Sequence, residues 1–404
     1  MNTPDLYNLS PLAMVMLAGL VIAIVPLVWV WWRHRGQGAA SLSHGLAVLT
    51  LFLTFDLVLF GAFTRLTDSG LGCPDWPGCY GSASPLGAAS PIAAAQAALP
   101  SGPVTYGKAW IEMVHRYLAT AVGVLILFQA IRSWYLYRQG RRAGGAWAAP
   151  MFSPWWSTLT LIWVCLQGAF GALTVTMKLF PAIVTLHLLG GIVLLMLLAV
   201  QVAQGERSRQ VSPATAKFVE VGRGLRVGLL AGLGLLTVQI ALGGWVSTNY
   251  AVLACAEFPT CQGGWWPRMN VSQGFEIWRP LGMTSQGEII SFAALTAIHW
   301  VHRLMALVVF AALGALTYRL HTYADFKTTA RWLAFLLLMQ FATGVSNVVF
   351  EWPLLAAVLH TGGAAALCVV LTLALTRLML ATAAFDRASS TSVLKSSSSE
   401  NRPV

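Results

Sequence analysis

Charged residues are scarce in this sequence, and the shortage excludes an ordinary water-soluble domain. Only 10% of the 404 residues are charged and 57% are hydrophobic, with a mean hydropathy of +0.69. A soluble domain carries roughly 25% charged residues. The composition therefore predicts an integral membrane protein whose surface contacts lipid.

Acidic residues are scarcer still, at 14 against 25 Lys and Arg, which leaves a net charge of +11. A basic excess can indicate nucleic-acid binding, but these residues are spread over separate loops rather than gathered in one stripe. We expect no nucleic-acid partner. A basic segment before the first apolar run is also lacking, and the run is too long for a signal peptide, so we expect residues 10–32 to be retained as a helix.

Nine apolar runs are long enough to cross a bilayer, which takes about 20 helical residues. We therefore expect an all-α integral membrane fold with nine spans. Basic residues are concentrated in alternate loops, and the positive-inside rule places those loops in the cytoplasm, with the N-terminus outside and the C-terminus inside. The runs cover about 10–32, 45–64, 110–134, 155–177, 182–203, 225–246, 290–317, 331–350 and 353–377.

Two motifs occur twice, which indicates an internal duplication. EMVHRYLA (112–119) reappears as HWVHRLMA (299–306), and VTLHLLGG (184–191) is echoed by AVLHTGGA (357–364). Each half contains four spans, an even number, so both halves begin on the same side of the membrane. We expect two pseudo-symmetric four-helix bundles, related as a parallel repeat, plus one extra N-terminal helix.

The repeat divides the chain into five parts. We expect an extra helix with a cytoplasmic loop (1–44), an N-terminal bundle (45–204), a cytoplasmic linker (205–224), a C-terminal bundle (225–380) and a disordered tail (381–404), whose end is rich in serine. Residues 81–105, in the first outer loop, are rich in Ala, Ser, Gly and Pro. This composition predicts a flexible segment.

Four of the eight histidines lie within spans at positions related by the repeat: His115 and His187 in the first half, His302 and His360 in the second. An ionisable side chain inside a bilayer is a functional candidate, because leaving it unpartnered is costly. Two imidazoles from different helices can bind a haem iron from both sides. We expect one haem site per bundle, with polar packing between helices as the alternative. Zinc is disfavoured, because no further ligand lies at the same depth.

The two halves differ beside these histidines. Glu112 in the first half takes the position of His299 in the second. Glu112 could move protons or stabilise positive charge on an oxidised carbon, or it could simply favour a helix N-terminus. His299 could simply hydrogen-bond at the interface. Arg116 and Arg303 could bind haem propionates or extend to the membrane surface.

Four cysteines form two equally spaced pairs in the long outer loops, Cys73 with Cys79 and Cys255 with Cys261. Disulfides persist on the oxidising side of a membrane, so two disulfides are expected. Each would close a short loop and stabilise the fold only modestly. A disulfide near a haem could instead act as a redox relay, and both roles remain open.

Together, GAFTRLTDSGLGCPDWPGCYG (61–81), the two motifs above and the later HR and H helices resemble the haem A synthase family over about residues 45–377. The resemblance implies eight helices in two similar bundles, so the helix at 10–32 departs from the family pattern. It also implies an oxidoreductase that converts a ring methyl group of haem O, its substrate, into the formyl group of haem A. Two successive hydroxylations and loss of water would do this, for cytochrome oxidase maturation.

The same resemblance implies roles for five residues: haem b ligands that relay electrons (His302, His360), the lining of the haem O site (His115, His187) and a carboxylate required for oxidation (Glu112). The first cysteine pair would be the one tied to activity. The implied cofactor is haem b, with haem O as substrate and haem A as product.

The expected location is the inner membrane of a bacterium. The expected partners are lipid, the farnesylating enzyme that supplies haem O, and an electron donor that no motif identifies; a homo-oligomer is compatible with the sequence. Two other functions also use the four histidines. A di-haem b-type cytochrome that oxidises quinol would not need Glu112. A haem transporter or assembly protein would bind haem without changing it.

Overall fold

The computed structural model describes residues 9–142, 153–209 and 223–399, and these residues form helices joined by turns and loops. Nine of the helices described are long and apolar enough to cross a membrane, which confirms the predicted all-α integral membrane fold with nine spans. The helices are α1 (Ser10–His34), α2 (Gly38–Leu66), α3 (Ala89–Ala98), α4 (Tyr106–Arg142), α5 (Pro154–Thr176), α6 (Pro181–Arg209), α7 (Arg223–Thr248), α8 (Val271–Gly274), α9 (Phe292–Thr322), α10 (Lys327–Val349) and α11 (Leu354–Ser399).

Large apolar side chains cover the outer faces of the long helices. Trp29, Phe52 and Phe335 are each more than half exposed. Lipid tails solvate such side chains, whereas they offer no partner to backbone N–H and C=O groups. The backbone must therefore satisfy its hydrogen bonds within each helix, which is why the apolar runs fold as continuous spans.

Each half of the chain forms a closed ring of four neighbouring helices. In the first half α2 packs on α4, α4 on α5, α5 on α6 and α6 on α2, and in the second half α7, α9, α10 and α11 repeat this order. The halves meet where α6 packs on α11 and α7, and where α2 packs on α11. Ile192 and Leu195 of α6 join a buried cluster with residues of all four second-half spans, including Leu229 and Leu371.

The C-terminal ends of α2 and α7 lie side by side, which shows that these two helices run in the same direction. Arg65 donates from Nη2 to the carbonyl oxygen of Ser247 over 2.5 Å, and the hydroxyl of Tyr250 donates to Oδ1 of Asp68 over 2.5 Å. The Arg65 guanidinium also lies 4.1 Å from the centre of the Tyr250 ring. The loops that follow these two helices carry both cysteine pairs, and we name this end of the molecule the disulfide end.

Among the described helices, α1 has no counterpart in the second half. It packs mainly on α4 and also on α2. A Cβ at Gly19 would lie 2.4 Å from Cγ2 of Thr120, so the two helix backbones approach closely there. At the disulfide end, Val15 joins a buried cluster with Cys73 and Cys79. The extra helix therefore covers one side of the first bundle.

Three sequence expectations need correction. Residues 81–105 are not wholly a flexible loop, because α3 forms within them and buries Ile92; its run of alanines has high helix propensity. The tail expected from 381 onward to be disordered continues α11 to Ser399, since residues 378–399 contain neither proline nor glycine. Helix α2 begins at Gly38, so the first connecting loop is much shorter than expected.

Some of the predicted segments extend into residues that the structure does not describe. The linker predicted at 205–224 contains the C-terminal end of α6 and the N-terminal end of α7. Residues 210–222 lie outside the described ranges. Residues 1–8 and 400–404 also lie outside them, as do residues 143–152.

Candidate haem-binding sites

The first pair of histidines faces the interior of the first bundle. His115 lies on α4 against α2, where its ring is parallel to that of Phe60, with 6.2 Å between the ring centres and 9° between the planes. A Cβ at Gly61 would lie 3.1 Å from Cε1 of His115. On α6, His187 lies against Gly171 of α5, where a Cβ would lie 3.4 Å from its Cε1. The His115 and His187 rings are close enough to interact electrostatically.

The second pair repeats this arrangement in the second bundle. His302 of α9 lies against Gly243 of α7, where a Cβ would lie 3.0 Å from Cε1. His360 of α11 lies against Gly344 of α10, where the corresponding distance is 3.2 Å. The His302 and His360 rings are likewise close enough to interact electrostatically. The structure therefore brings the four predicted histidines together as two equivalent pairs.

A glycine on the neighbouring helix leaves room for each imidazole, and sequence reasoning did not single out these glycines. Gly61 and Gly243 precede the first cysteine of their halves by the same number of residues, and Gly171 and Gly344 precede their histidines by the same number. Aligning the two halves through the cysteines and histidines would have found them. Small residues let helices approach closely in membranes, so these positions were open to a packing interpretation as well.

The donor set suits haem iron. Two imidazoles from two helices would be able to hold a haem iron between them. In the first bundle, Nδ1 of His115 and Nδ1 of His187 are buried and have no hydrogen-bond partner among the described residues. The described residues contain no group of three or more His, Cys, Asp or Glu that could hold a metal ion alone. A haem needs only two protein ligands, so the residues present fit this group.

Glu112 joins α4 to the first cysteine loop. The side chain is buried, and its carboxylate accepts a hydrogen bond from the backbone N–H of Cys73 over 2.8 Å and pairs with Arg116. Glu112 precedes His115 by three residues, which places both on one side of the helix. The carboxylate therefore connects the disulfide end to the helix of the candidate ligand.

The two arginines that follow the candidate ligands hold the cysteine loops. Arg116 donates from Nη1 to the carbonyl oxygens of Asp75 and Gly78 over 3.0 and 2.5 Å. Arg303 donates to the carbonyl oxygens of Glu257 and Cys255, each over 2.8 Å. These are matching positions in the repeat. Propionate binding by the two arginines stays a prediction, whereas their contact with the loops is observed.

His299 is buried and lies beside Arg303, whose Nε is 3.2 Å from its Nε2. His299 takes the position of Glu112 in the repeat. The second bundle therefore has an imidazole beside Arg303 where the first has a carboxylate paired with Arg116. The ion pair of the first bundle has no equivalent at this position of the second.

Both predicted disulfides are formed, between Cys73 and Cys79 and between Cys255 and Cys261. All four sulfurs belong to buried residues. The backbone amide of Cys73 is the group bound by Glu112, so the first disulfide lies next to the carboxylate. The structural and redox roles of the disulfides both stay predictions.

Comparison with known proteins matches this chain to a family and to several relatives. Residues 44–372 match the family model COX15-CtaA, described as cytochrome oxidase assembly protein. A protein of Shewanella oneidensis named heme A synthase is 37% identical over 80% of this chain and 92% of its own length. Proteins of the same name from Methylobacterium radiotolerans and Halalkalibacterium halodurans are 29% and 25% identical, over 76% and 75% of this chain and 82% and 86% of their own lengths.

Proposed function

Because this chain belongs to the cytochrome oxidase assembly protein family, we propose that it is a haem A synthase. The family and the named relatives support haem A synthesis for oxidase assembly and an enzyme that acts on haem. The finer proposal is that the enzyme is an oxidoreductase. It hydroxylates one ring methyl group of haem O twice, and loss of water then leaves the formyl group of haem A.

The observation that carries the proposal is the pair of equivalent histidine sites, each with two imidazoles in electrostatic reach and each ring against a glycine. Two haem sites in one chain are what a haem-modifying enzyme with its own electron relay needs. We assign the second bundle to haem b, held by His302 and His360. Haem b, when bound there, supplies electron transfer.

The first bundle would take the substrate haem O between His115 and His187. Glu112 is the buried carboxylate next to this site, and its partner Arg116 keeps it within a hydrogen-bonded network. In that position it can hold or release a proton, or offset positive charge on the substrate carbon as that carbon is oxidised. The second bundle has His299 at the matching position, which favours the first bundle as the reacting half.

Arg116 and Arg303 are proposed to bind propionates in addition to the cysteine loops. A guanidinium has five N–H donors, so contacts with backbone carbonyls leave donors for a second acceptor. Both arginines are near the disulfide end of their bundles. A haem with its propionates toward that end would meet both a histidine pair and an arginine.

The membrane setting follows from the same proposal. The loop charges favour an N-terminus outside and a C-terminus in the cytoplasm, with the disulfide end on the outer face of a bacterial inner membrane. Haem O is apolar, so it would arrive from the lipid, supplied by the farnesylating enzyme that makes it. An electron donor completes the proposed partners.

Haem extraction tests the proposal. The chain is expressed in a host that makes haem O but no haem A, and the extracted haems are separated by chromatography. We expect haem A with the wild-type chain, and we expect Glu112→Ala to lose haem A while haem b stays bound. Glu206→Ala is the matched control, because this carboxylate pairs with Arg377 away from both histidine pairs.

The same preparations separate the alternative functions. A di-haem electron-transfer protein or a haem transporter would bind haem without changing it. In that case neither the wild-type chain nor Glu112→Ala would yield haem A from haem O. His302→Ala and His360→Ala should each remove the low-spin haem b spectrum of the purified protein. Haem b that persists in both variants would overturn its assignment to the second bundle. If the wild-type chain produces no haem A in a host that makes haem O, the proposed enzyme activity is overturned.

A further inference from the structure

The two histidine pairs differ in what their Nδ1 atoms contact. In the second bundle, Nδ1 of His360 lies 3.0 Å from the hydroxyl oxygen of Thr343, and Nδ1 of His302 lies 3.1 Å from the side-chain amide of Gln239. Thr343 immediately precedes Gly344, and Gln239 stands one helical turn before Gly243. Each polar side chain therefore comes from the same helix as the glycine beside that histidine.

Apolar residues take these places in the first bundle. Phe170 immediately precedes Gly171, and Leu57 stands one turn before Gly61. Neither side chain can accept a hydrogen bond from an imidazole. This agrees with the buried Nδ1 atoms of the first pair, which find no partner among the described residues.

The backbone of Gln167 lies near the His187 ring as that of Gln340 lies near the His360 ring, so this contact is common to both halves. The second bundle differs in placing polar side chains at Nδ1 in addition to this backbone contact.

The contacts of Thr343 favour one tautomer of the His360 ring. The Thr343 hydroxyl has one proton, and its oxygen lies 2.7 Å from the carbonyl oxygen of Met339, which can only accept. When the hydroxyl donates there, its oxygen accepts from Nδ1–H of His360. A neutral imidazole with its proton on Nδ1 has a free lone pair on Nε2, which is the form that binds a metal ion.

Gln239 can favour the same form of His302. Its Oε1 is buried and has no hydrogen-bond partner among the described residues, while its Nε2 faces Nδ1 and lies 3.2 Å from the backbone oxygen of His302. A half-turn of the amide would exchange the two atoms and let Oε1 accept from Nδ1–H, at the expense of the hydrogen bond from Nε2 to the backbone oxygen of His302. This pairs the unpartnered oxygen and frees Nε2 of the ring for iron.

We propose that Thr343 and Gln239 are positioning residues that fix the imidazoles of a resident haem, and that their absence from the first bundle lets its haem exchange. The inference rests on the proposed function, because it assumes haem b in the second bundle. An acceptor at Nδ1–H makes an imidazole more basic, which stabilises ferric iron and holds the ligand ring in place. A substrate haem that must leave as product needs ligand rings that are held less firmly. Leu57 and Phe170 of the first bundle provide no side-chain acceptor for Nδ1–H.

Redox titration of the purified holoprotein tests the role of Thr343. Thr343→Val removes the acceptor with little change in volume. Loss of such a partner costs on the order of 10-fold in metal affinity, and a 10-fold loss for ferric over ferrous iron raises the midpoint potential of haem b by about 59 mV. Thr343→Ser keeps the hydroxyl and should restore the wild-type potential. Thr237→Val is the matched control, because that hydroxyl donates only to the carbonyl of Leu233.

Haem release supplies a second measurement. With excess apomyoglobin as acceptor, Thr343→Val should lose haem b on the order of 10-fold faster than wild type. Gln239→Leu, which copies the first bundle, should act in the same direction and replaces Thr343→Val if that variant does not accumulate. Wild-type potential and release rate in both variants would overturn the inference and leave the proposed function standing. A wild-type chain that contains no haem b would instead overturn the proposed function.

Discussion

Glu112 is held by contacts that bear on the chemistry proposed for it. The sequence left open whether this carboxylate acts on protons or stabilises a helix end. The structure buries it between the Cys73 amide and Arg116, so it is tied to the disulfide end rather than to solvent. A buried carboxylate loses much of its hydration, and the guanidinium offsets that cost. Its variants therefore need a stability control as well as a haem measurement.

The glycines beside the histidines give a prediction for single residues. Gly243→Ala places a methyl group 3.0 Å from Cε1 of His302, so the ring must shift by a few tenths of an ångström. Overpacking of this kind costs about 1–3 kcal/mol. We expect weaker haem b binding, measured as haem per protein after purification.

Gly234→Ala is the control for this change. It lies on the same helix, α7, and a Cβ there meets nothing within 4 Å. It should keep the wild-type haem content and gain slightly in helix stability, because alanine favours helices over glycine. Equal haem content in both variants would show that Gly243 does not position the ring.

Sequence reasoning singled out the histidines as candidates but not the residues around them. A histidine inside an apolar run stands out because the bilayer makes it costly, whereas a glycine or a threonine there does not. The acceptor at Thr343 depends on which helix lies beside α11, and no local pattern encodes that. The burial of Arg279, whose Nη2 binds Asn249 over 2.6 Å, also depends on how the second outer loop folds back.

At the scale of elements, each cysteine loop is attached to a long helix by one arginine. Arg303 donates to the carbonyl oxygens of Cys255, Glu257 and Thr260, which surround the second disulfide. Lysine has no planar set of donors and cannot reproduce these bonds. The loop and the start of α9 should therefore loosen together when the guanidinium is lost.

Arg303→Lys is expected to lower the free energy of unfolding by about 1.5–3 kcal/mol, the range for a hydrogen bond to a charged group. The thermal unfolding midpoint of the purified protein measures this loss. Arg319→Lys, an exposed position at the other end of α9, should leave the midpoint unchanged. If the two variants unfold alike, the loop contacts contribute nothing measurable.

At the scale of the whole molecule, the contact between the halves at the disulfide end should depend on pH. Burial raises the pKa of Tyr250 above its ordinary value of 10.0, and the nearby Arg65 guanidinium partly opposes this shift. The neutral hydroxyl donates to Asp68. Its stabilisation is complete below about pH 10 and is lost as the pH rises through the raised pKa of the folded protein.

Tyr250→Phe should remove this alkaline loss, because phenylalanine does not ionise. Thermal midpoints measured between about pH 8 and 11 should converge for the wild type and the variant as the pH rises. Tyr318→Phe is the control, since that ring is 76% exposed and lies on α9. A difference between wild type and Tyr250→Phe that stays constant with pH would contradict the assignment.

The membrane made much of the whole-molecule architecture predictable. Nine spans follow from nine apolar runs, since the bilayer admits few other structures. The contacts between halves were not predictable in this way. Apolar faces such as those of Ile192 and Leu195 look alike whether they meet lipid or a neighbouring helix, and only the folded chain shows that they join the second half. Helix α3 was missed because its alanines, serine and proline also suit a loop.

If the proposed function holds, the contact between α6 and α11 has one more consequence. His187 belongs to α6 and His360 to α11, and these helices pack directly on each other across the boundary between the halves. A haem held by each of these histidines would lie on neighbouring helices of a single chain. On the proposed function, reducing equivalents would cross within one continuous protein medium while the substrate alone comes and goes.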